Sequence, residues 1–486
     1  MMTRLRRCVF FFAIVLLAGS GFLVGAEEGT EEGARLPNII LILADDVSAD
    51  ELSPYGGGIA MPNLQKLADD GVLFRNGWSA PLCGPSRAMI MTGKYPHNTG
   101  YYENAVMPRI PFEKDPRHLP ILKMLKEAGY ATSMVGKKHF GAVADVGPYG
   151  ADDWLIARYW DGHDGPRQNS WSPDRSDMYG VSWYWHPGLV RNGQGVPTTE
   201  ADFGPDLELQ HLLDFIAAQR DGRPFAALWT TNLPHKAHDE KRPGELQWYY
   251  TDVPELDSEG RRTGGKVAGS IRSNMQYLDH LLGKLRAGLQ ANGLSDRTII
   301  FFTADNGTAD VRRGNKDMDK GSYDRDDAIR VPFVVGGGPV KPRSPSDVLV
   351  DFTDFWPTCA QLAGYRGTMN TDGHSFAPYL LGEAFTPRET IQMQMNNARW
   401  VRDRDWLLDG RGRFYDTRGA KNRNEYRDVS NSENPEVIAA RRRFEEYLHN
   451  IPLPDETDPA TRQSWQAFRA ALGRPPVEIF RPSYLE

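Results

Sequence analysis

Two pairs of adjacent side chains that can bind a cation each follow a short apolar run. Asp45-Asp46 ends the run "LPNIILILA", and Asp305-Asn306 ends "TIIFFTA". Successive strand residues point to opposite faces, so neighbouring carboxylates can share a target only where the strand has just ended. Two buried carboxylates also repel each other unless a cation neutralises them. Together the pairs predict an oxygen-rich site for Ca²⁺ or Mg²⁺, although either Asp-containing pair alone is also typical of a solvated turn or a helix cap.

A cysteine with an unusual setting lies in the stretch "APLCGPSRAMIMTG". Cys83 precedes Pro85 and Arg87, at the predicted start of a helix. A helix N-terminus and a nearby guanidinium attract anions, and a thiolate placed there can act as a nucleophile. The alternative is structural, because after loss of the N-terminal segment only Cys83 and Cys359 remain. In an exported protein these two would form a disulfide or remain two inert buried thiols.

These residues need elements that bring them together, and the sequence alternates apolar strand patterns with amphipathic helix patterns. One helix is predicted over about 120–128 and the next strand over about 131–135. Such alternation predicts an α/β fold with a large, mostly parallel sheet flanked by helices. In these sheets functional groups collect at the carboxyl ends of the strands. Four strand ends carry reactive residues: Asp45-Asp46, Lys137 and His139, His235, and Asp305-Asn306.

The two ends of the chain differ from this pattern. Three arginines precede an apolar run from Cys8 to Leu23, which predicts a cleaved signal peptide over 1–26 and an acidic linker over 27–35. An uncleaved membrane anchor is the alternative. The catalytic domain is expected over 36–385, and a smaller C-terminal subdomain of antiparallel strands plus a helix over 386–486. We therefore expect an exported protein, periplasmic or secreted, with no stable membrane insertion after cleavage.

The charge balance limits the class of partner. Loss of residues 1–26 removes three of the 57 Lys and Arg residues and none of the 64 Asp and Glu residues, so the formal net charge goes from −7 to −10. A chain this acidic is not expected to bind nucleic acid through its overall field. An anionic substrate would need a local positive receptor.

The stretch "CGPSRAMIMTG" resembles the signature of the type I, formylglycine-dependent sulfatases, a branch of the alkaline phosphatase superfamily. The signature's Thr-Gly step is present as Thr92-Gly93. The resemblance implies an alkaline-phosphatase-like fold and a sulfuric ester hydrolase of the arylsulfatase type. It further implies that a formylglycine-generating or sulfatase-maturing enzyme oxidises Cys83 to formylglycine (3-oxoalanine).

The resemblance also implies a metal centre that holds Ca²⁺, with Mg²⁺ as a possibility. "PNIILILADD" is similar to the family's first metal strand, and "FFTADNG" is similar to its second. The implied ligands are Asp45, Asp46, Cys83, Asp305 and Asn306.

Catalytic residues are implied in the same way. "GYATSMVGKKHFG" is similar to the family block that supplies Lys137 and His139, with Lys138 in place of the usual tryptophan. "TTNLPHKAH" resembles the segment of His235, and "KGSYDRDDAIRVPFVV" that of Lys320, with Lys316 as the alternate. The resemblance implies that hydrated formylglycine 83 attacks sulfur while Lys137 and Arg87 hold the sulfuryl oxygens. It implies that Lys320 and His235 assist the departure of the leaving group. His139 is implied as the base in the release of sulfate.

The substrate class is suggested by the segment 152–188, which combines many aromatic residues with several arginines. Aromatic faces beside cations suit a sulfated carbohydrate, although the same residues could pack a long insertion. Two other functions stay open: a phosphonate or phosphate ester hydrolase of the same superfamily, and an unmatured protein that binds sulfated glycans.

Overall fold

The apolar runs form buried strands. The computed structural model describes residues 35–102, 104, 114–140, 145–157, 183–219, 222–236, 250–308, 325–395 and 398–452. All seven residues of the first strand are buried, as expected for a strand covered on both faces. The strands are β1 (Asn38–Ala44), β2 (Gly71–Trp78), β3 (Ala131–Gly136), β4 (Asp153–Ala157), β5 (Leu189–Arg191), β6 (Gln194–Val196), β7 (Phe225–Thr230), β8 (Val253–Leu256), β9 (Arg262–Val267), β10 (Thr298–Ala304), β11 (Arg330–Val331), β12 (Phe333–Gly336), β13 (Ser346–Asp351), β14 (Ile391–Met395), β15 (Ala398–Arg402), β16 (Trp406–Leu408), β17 (Phe414–Asp416) and β18 (Arg427–Asp428).

A large mixed sheet has the order β11-β2-β12-β10-β1-β7-β3-β4-β5-β6, with β13 paired to β2. Its five central strands β10, β1, β7, β3 and β4 are parallel to one another. On either side, β12 pairs antiparallel with β10, and β5 pairs antiparallel with β4. The four strands predicted to carry reactive residues at their carboxyl ends are therefore the consecutive strands β10-β1-β7-β3.

Helices flank this sheet in two groups, as amphipathic faces require. Helices α1, α5 and α6 contact one another through α6, whereas α2, α4 and α7 form a second mutually contacting group. The helices are α1 (Pro62–Asp69), α2 (Cys83–Thr92), α3 (Pro96–Thr99), α4 (Ile121–Glu127), α5 (Gly204–Ala218), α6 (Ile271–Ala291), α7 (Phe355–Leu362), α8 (Ala377–Leu381) and α9 (Pro435–His449). The helix predicted over about 120–128 and the strand after it are present within one or two residues.

A separate antiparallel sheet, β14-β15-β16-β17-β18, follows the large one. Helix α9 packs on it, and Phe414 and Phe444 lie in a small second core between the sheet and the helix. The predicted α/β fold class is confirmed, with its mostly parallel centre and its antiparallel C-terminal sheet. The residues from Leu36 onward form one compact unit, so the boundary at 386 stays a prediction.

Candidate active site

The loops after β1 and β10 join at the carboxyl edge of the sheet. Asp305 N donates to the carbonyl of Ala44 at 2.9 Å, and Asp46 N donates to Asp305 Oδ1 at 3.2 Å. Asp46 adopts a left-handed backbone with φ of 68°, a sparsely populated conformation for a residue other than glycine. The two strand ends predicted to share a cation are thus in direct contact.

Cys83 faces these carboxylates from the first turn of α2. Its Sγ lies 3.5 Å from Asp45 Oδ1 and 3.9 Å from Asp46 Oδ1. The next residue, Gly84, donates its N–H to Asn104 Oδ1 at 2.8 Å, which anchors the start of the helix. A Cβ on Gly84 would lie 2.7 Å from the Tyr101 ring, so glycine is required for this close approach. The side chain at position 83 is therefore held against both acids.

Arg87, one turn along α2, points inward and is 1% exposed. Its Nε and Nη2 donate to Asp305 Oδ2 at 3.0 and 2.7 Å, and Nη2 also reaches Asp45 Oδ2 at 3.3 Å. Nη1 donates to the carbonyl of Lys137 at 2.6 Å. Burial lowers the pKa of Arg87, but the charges of Asp305 and Asp45 raise it above its ordinary value. The guanidinium therefore stays charged and joins the ends of β1, β3 and β10.

Lys137 follows β3 and forms a buried ion pair with Asp45 through Nζ. Its carbonyl lies 2.7 Å from the hydroxyl of Thr230 at the end of β7. The ammonium also lies 6.0 Å from the ring centroid of Trp183. Position 137 is thus fixed by neighbouring strands and carries a positive charge into the site.

His235 lies after β7, with Nε2 3.6 Å from Asp46 Oδ2. Its Nδ1 is 2.5 Å from the carbonyl of Lys236, which makes Nδ1 the protonated nitrogen and leaves Nε2 as an acceptor in the neutral ring. Trp183 packs against the imidazole edge-on, with ring centroids 5.5 Å apart. The imidazole is therefore oriented with Nε2 toward the carboxylates.

The donor set fits a divalent cation. Ligand atoms of Asp45, Asp46, Cys83 and His235 all lie within 4.8 Å of one another. Asn306 donates Nδ2 to Asp46 Oδ1 at 2.6 Å, whereas its buried Oδ1 accepts no hydrogen bond from any described residue. Burial and the charge of Asp45 raise the pKa of Asp305 to about 6. A cation would relieve this crowding of carboxylates and give the Asn306 oxygen a partner.

Other predicted residues have different outcomes. His139 has a left-handed backbone with φ of 53°, and its carbonyl would lie 3.4 Å from a Cβ on Gly84, so its main chain lies beside the start of α2. Lys320 and its alternate Lys316 lie outside the described residues. Cys83 and Cys359 are both buried, and no disulfide joins them. Burial raises the pKa of Cys359 to about 12, as expected for an inert thiol.

The aromatic segment 152–188 is described only over 152–157 and 183–188. Trp183 contacts the site, and the Tyr184 hydroxyl lies 2.7 Å from the carbonyl of Asn232 and 2.6 Å from that of His235. Tyr184 thus supports the loop that carries His235. Trp154 is buried in β4, which agrees with the alternative that some of these aromatics pack the interior.

Several supporting residues were not predicted from the sequence. Ser48 N donates to Thr308 Oγ1 and Thr308 N donates to Ser48 Oγ, both at 3.0 Å, which ties together the loops that follow β1 and β10. Thr230 contacts the carbonyl of Lys137, and Asn104 accepts the N–H of Gly84. Their only sequence signal is position, because each lies at the end of a strand, shortly after one, or downstream of the cysteine motif. A small polar residue there has many alternative roles.

Comparison with known proteins agrees with this geometry. The family model described as Sulfatase matches residues 37–365. The chain belongs to the sulfatase family. This sulfatase is 30% identical over 396 residues to N-acetylgalactosamine-6-sulfatase of Canis lupus familiaris, a match that covers 75% of this chain and 70% of the relative. It is also 30% identical to human arylsulfatase A over 387 residues, which covers 74% of this chain and 70% of that enzyme.

The fold of this sulfatase is also found in solved structures. The crystal structure of Ps i-CgsB in complex with k-i-k-neocarrahexaose matches with a TM-score of 0.65 and 23% identity, over 89% of this chain and 98% of that one. The predictions of family and of a sulfuric ester hydrolase are confirmed. Among the described residues, no helix is long and apolar enough to cross a membrane.

Proposed function

We propose that this sulfatase hydrolyses sulfate esters of a carbohydrate, with formylglycine made from Cys83 and a divalent cation, Ca²⁺ or alternatively Mg²⁺. The observation that carries the proposal is the position of Cys83 Sγ, 3.5 and 3.9 Å from the carboxylates of Asp45 and Asp46. A group at position 83 therefore lies beside the side chains best suited to hold a cation. This is the arrangement needed to activate a nucleophile at that position.

The proposed ligands are Asp45, Asp46, Asp305, Asn306 and the group at position 83. When present, the formylglycine supplies a hydrated aldehyde as nucleophile, and the cation supplies positive charge beside it. Arg87 contacts Asp45 and Asp305 at 3.3 and 2.7 Å, which orients both carboxylates and places a positive charge between them. The same guanidinium contributes positive charge at the edge where a sulfate group would be bound.

Two further residues are proposed to handle charge and protons. Lys137 brings its ammonium to Asp45 and lies beside Trp183, so it is placed to attract sulfuryl oxygens. His235, with Nδ1 held by the Lys236 carbonyl and Nε2 3.6 Å from Asp46 Oδ2, is proposed to supply the proton that the leaving alcohol requires. Lys320, with Lys316 as the alternate, is proposed to assist that departure. His139 is proposed as the base in the release of sulfate.

The carbohydrate class is supported by relatives and by local chemistry. One similar protein is named N-acetylgalactosamine-6-sulfatase, and one structural neighbour is in complex with k-i-k-neocarrahexaose. Trp183 packs edge-on against His235, which places an aromatic ring of the segment 152–188 beside the site, and aromatic rings commonly line sites that bind sugars. Export through the N-terminal segment and maturation by a formylglycine-generating or sulfatase-maturing enzyme are part of the same proposal.

Mass spectrometry of the peptide containing residue 83, followed by turnover assays, tests the proposal. We expect formylglycine at position 83, and sulfate release from 6-O-sulfated N-acetylgalactosamine or another sulfated sugar. Cys83→Ala should abolish turnover, and Cys359→Ala, which changes the other buried cysteine, should retain it. Faster turnover of an aryl phosphonate than of any sulfate ester would favour a phosphonate hydrolase. A persistent thiol with no turnover, but with binding of sulfated glycans, would favour an unmatured glycan-binding protein.

A further inference from the structure

Residues 325–329, here called the bracing turn, contact the loops that carry the proposed metal ligands. Ser48, which lies two residues after Asp46, donates its Oγ–H to the carbonyl of Asp327 at 3.2 Å. Gly307, directly after Asn306, donates its N–H to the carbonyl of Ala328 at 2.8 Å. A Cβ on Gly307 would lie 2.1 Å from the Asp327 carbonyl oxygen, so the two backbones are in close contact. The bracing turn thus limits movement of both metal-bearing loops.

The other side of the bracing turn is held by the C-terminal sheet. Asp326 is fully buried, and its Oδ2 lies 3.4 Å from Arg402 Nη1 and 3.1 Å from the Tyr426 hydroxyl. Arg402 is the last residue of β15, and Tyr426 directly precedes β18. A buried carboxylate held by a guanidinium and a hydroxyl has little freedom to move. The position of Asp326 is therefore set by residues of the second sheet.

The backbone of Arg325 is fixed from the same side. Arg325 has φ of 51°, in the left-handed region that residues with a side chain rarely adopt. Its N–H donates to Asp409 Oδ2 at 2.9 Å, and its carbonyl accepts from Trp400 Nε1 at 2.8 Å. Such a conformation persists only where the surroundings impose it. Both partners belong to the C-terminal sheet or its connections, so this sheet imposes the conformation of the bracing turn.

We infer that Arg402 and Tyr426 are positioning residues for the cation site, acting through the bracing turn. Residues that orient metal ligands without contacting the metal commonly change the metal affinity strongly when they are mutated. Here the orientation comes from a second sheet. Arg402 and Tyr426 are 76 and 100 residues from Asp326 in the sequence. The inference rests on the cation site of the proposed function and assigns the C-terminal sheet a role in it.

Calorimetric titration of CaCl₂ into the EDTA-treated, desalted full chain tests this inference. Tyr426→Phe removes only the hydroxyl that contacts Asp326, and Arg402→Gln removes the buried guanidinium. We expect the calcium Kd to rise about tenfold in Arg402→Gln, the low end of the range for altered supporting groups. In Tyr426→Phe, which loses one hydrogen-bonding hydroxyl and keeps the guanidinium, we expect a smaller rise of about threefold. Phe444→Leu is the matched control, because it loosens the second core without removing a contact to the bracing turn. Its Kd should stay within about twofold of the parent value.

Three results would overturn the inference. Unchanged calcium affinity in both variants would show that the bracing turn does not control the site. An equal loss of affinity in Phe444→Leu would assign the effect to general destabilisation. Binding of neither CaCl₂ nor MgCl₂ by the parent chain would remove the proposed cation site and this inference with it, so the two failures are distinguishable. If Arg402→Gln does not fold, as judged by circular dichroism, Tyr426→Phe alone decides between these results.

Discussion

At the scale of single residues, Arg87 balances the charge of the site. Asp45 and Asp305 are both fully buried, and Arg87 reaches each of them. Two carboxylates without a cation would be forced toward protonation, and the raised pKa of Asp305, about 6, already reflects burial and the charge of Asp45. Arg87 is thus part of the fold as well as of the site.

The first prediction concerns the removal of this guanidinium. Arg87→Met leaves buried carboxylates without a major partner, so the free energy of unfolding should fall by about 3–5 kcal/mol. Urea titration at neutral pH without added metal measures this change. Arg75→Met is the matched control, because the Arg75–Asp347 pair has side chains 40% and 63% exposed. Its loss should be below about 1 kcal/mol. Similar losses in both variants would contradict the assigned role of Arg87.

At the scale of elements, the strand ends predicted from the sequence do meet. The consecutive order β10-β1-β7-β3 brings Asp305, Asp45, His235 and Lys137 to one edge, as the rule for parallel sheets requires. The sequence predicts this because each residue lies at the end of, or within about five residues after, an apolar strand pattern. It does not predict that Arg87 turns inward to Asp305 and the Lys137 carbonyl, because that contact depends on how α2 packs and no local pattern encodes it.

A buried carboxyl group at the contact between helix α5 and strand β7 predicts that the free energy of unfolding depends on pH. Glu208 on α5 is fully buried, and its Oε2 accepts from Trp229 Nε1 at 3.0 Å. Burial raises the pKa of Glu208 from 4.5 to about 7. Between pH 4.5 and pH 7, Glu208 therefore keeps its proton in the folded protein, whereas the unfolded chain has released it. Stability contributed by this group should fall as pH rises from about 4.5 to 7 and then stay constant.

Glu208→Gln keeps the acceptor for Trp229 and removes the titration. Relative to this variant, the parent should lose about 2 kcal/mol of unfolding free energy between pH 5 and pH 8. Urea titrations of both proteins at the two pH values give the comparison, with pH 5 as the internal control. A difference between parent and variant that is the same at both pH values would show that Glu208 is ionised throughout.

At the scale of the whole molecule, the two sheets are joined by buried polar contacts. Arg402 reaches Asp326 in one place, and Arg388 in the connection between the sheets pairs with Asp351 and with Asp354, the latter at 3.1 Å. The sequence predicts both sheets from their patterns but not these contacts, because charged residues are frequent on surfaces and their partners are distant in the chain. The sheets were predictable from local periodicity, and their coupling required the three-dimensional structure.

The last prediction is that cation binding stabilises the folded chain. A ligand at 100 times its Kd that binds only the folded state adds about 2.7 kcal/mol. For a chain of this length, where each kcal/mol shifts Tm by about 1–2 °C, CaCl₂ should raise Tm by about 3–5 °C relative to EDTA. Scanning calorimetry of the full chain measures the shift, and MgCl₂ at the same concentration compares the two cations. The control is Asp45→Asn combined with Asp46→Asn, which removes two ligands at the end of β1 and should shift by less than about 1 °C. Because nonspecific calcium binding at the acidic surface would stabilise both proteins alike, an equal shift in the control would refute a cation site at this edge of the sheet.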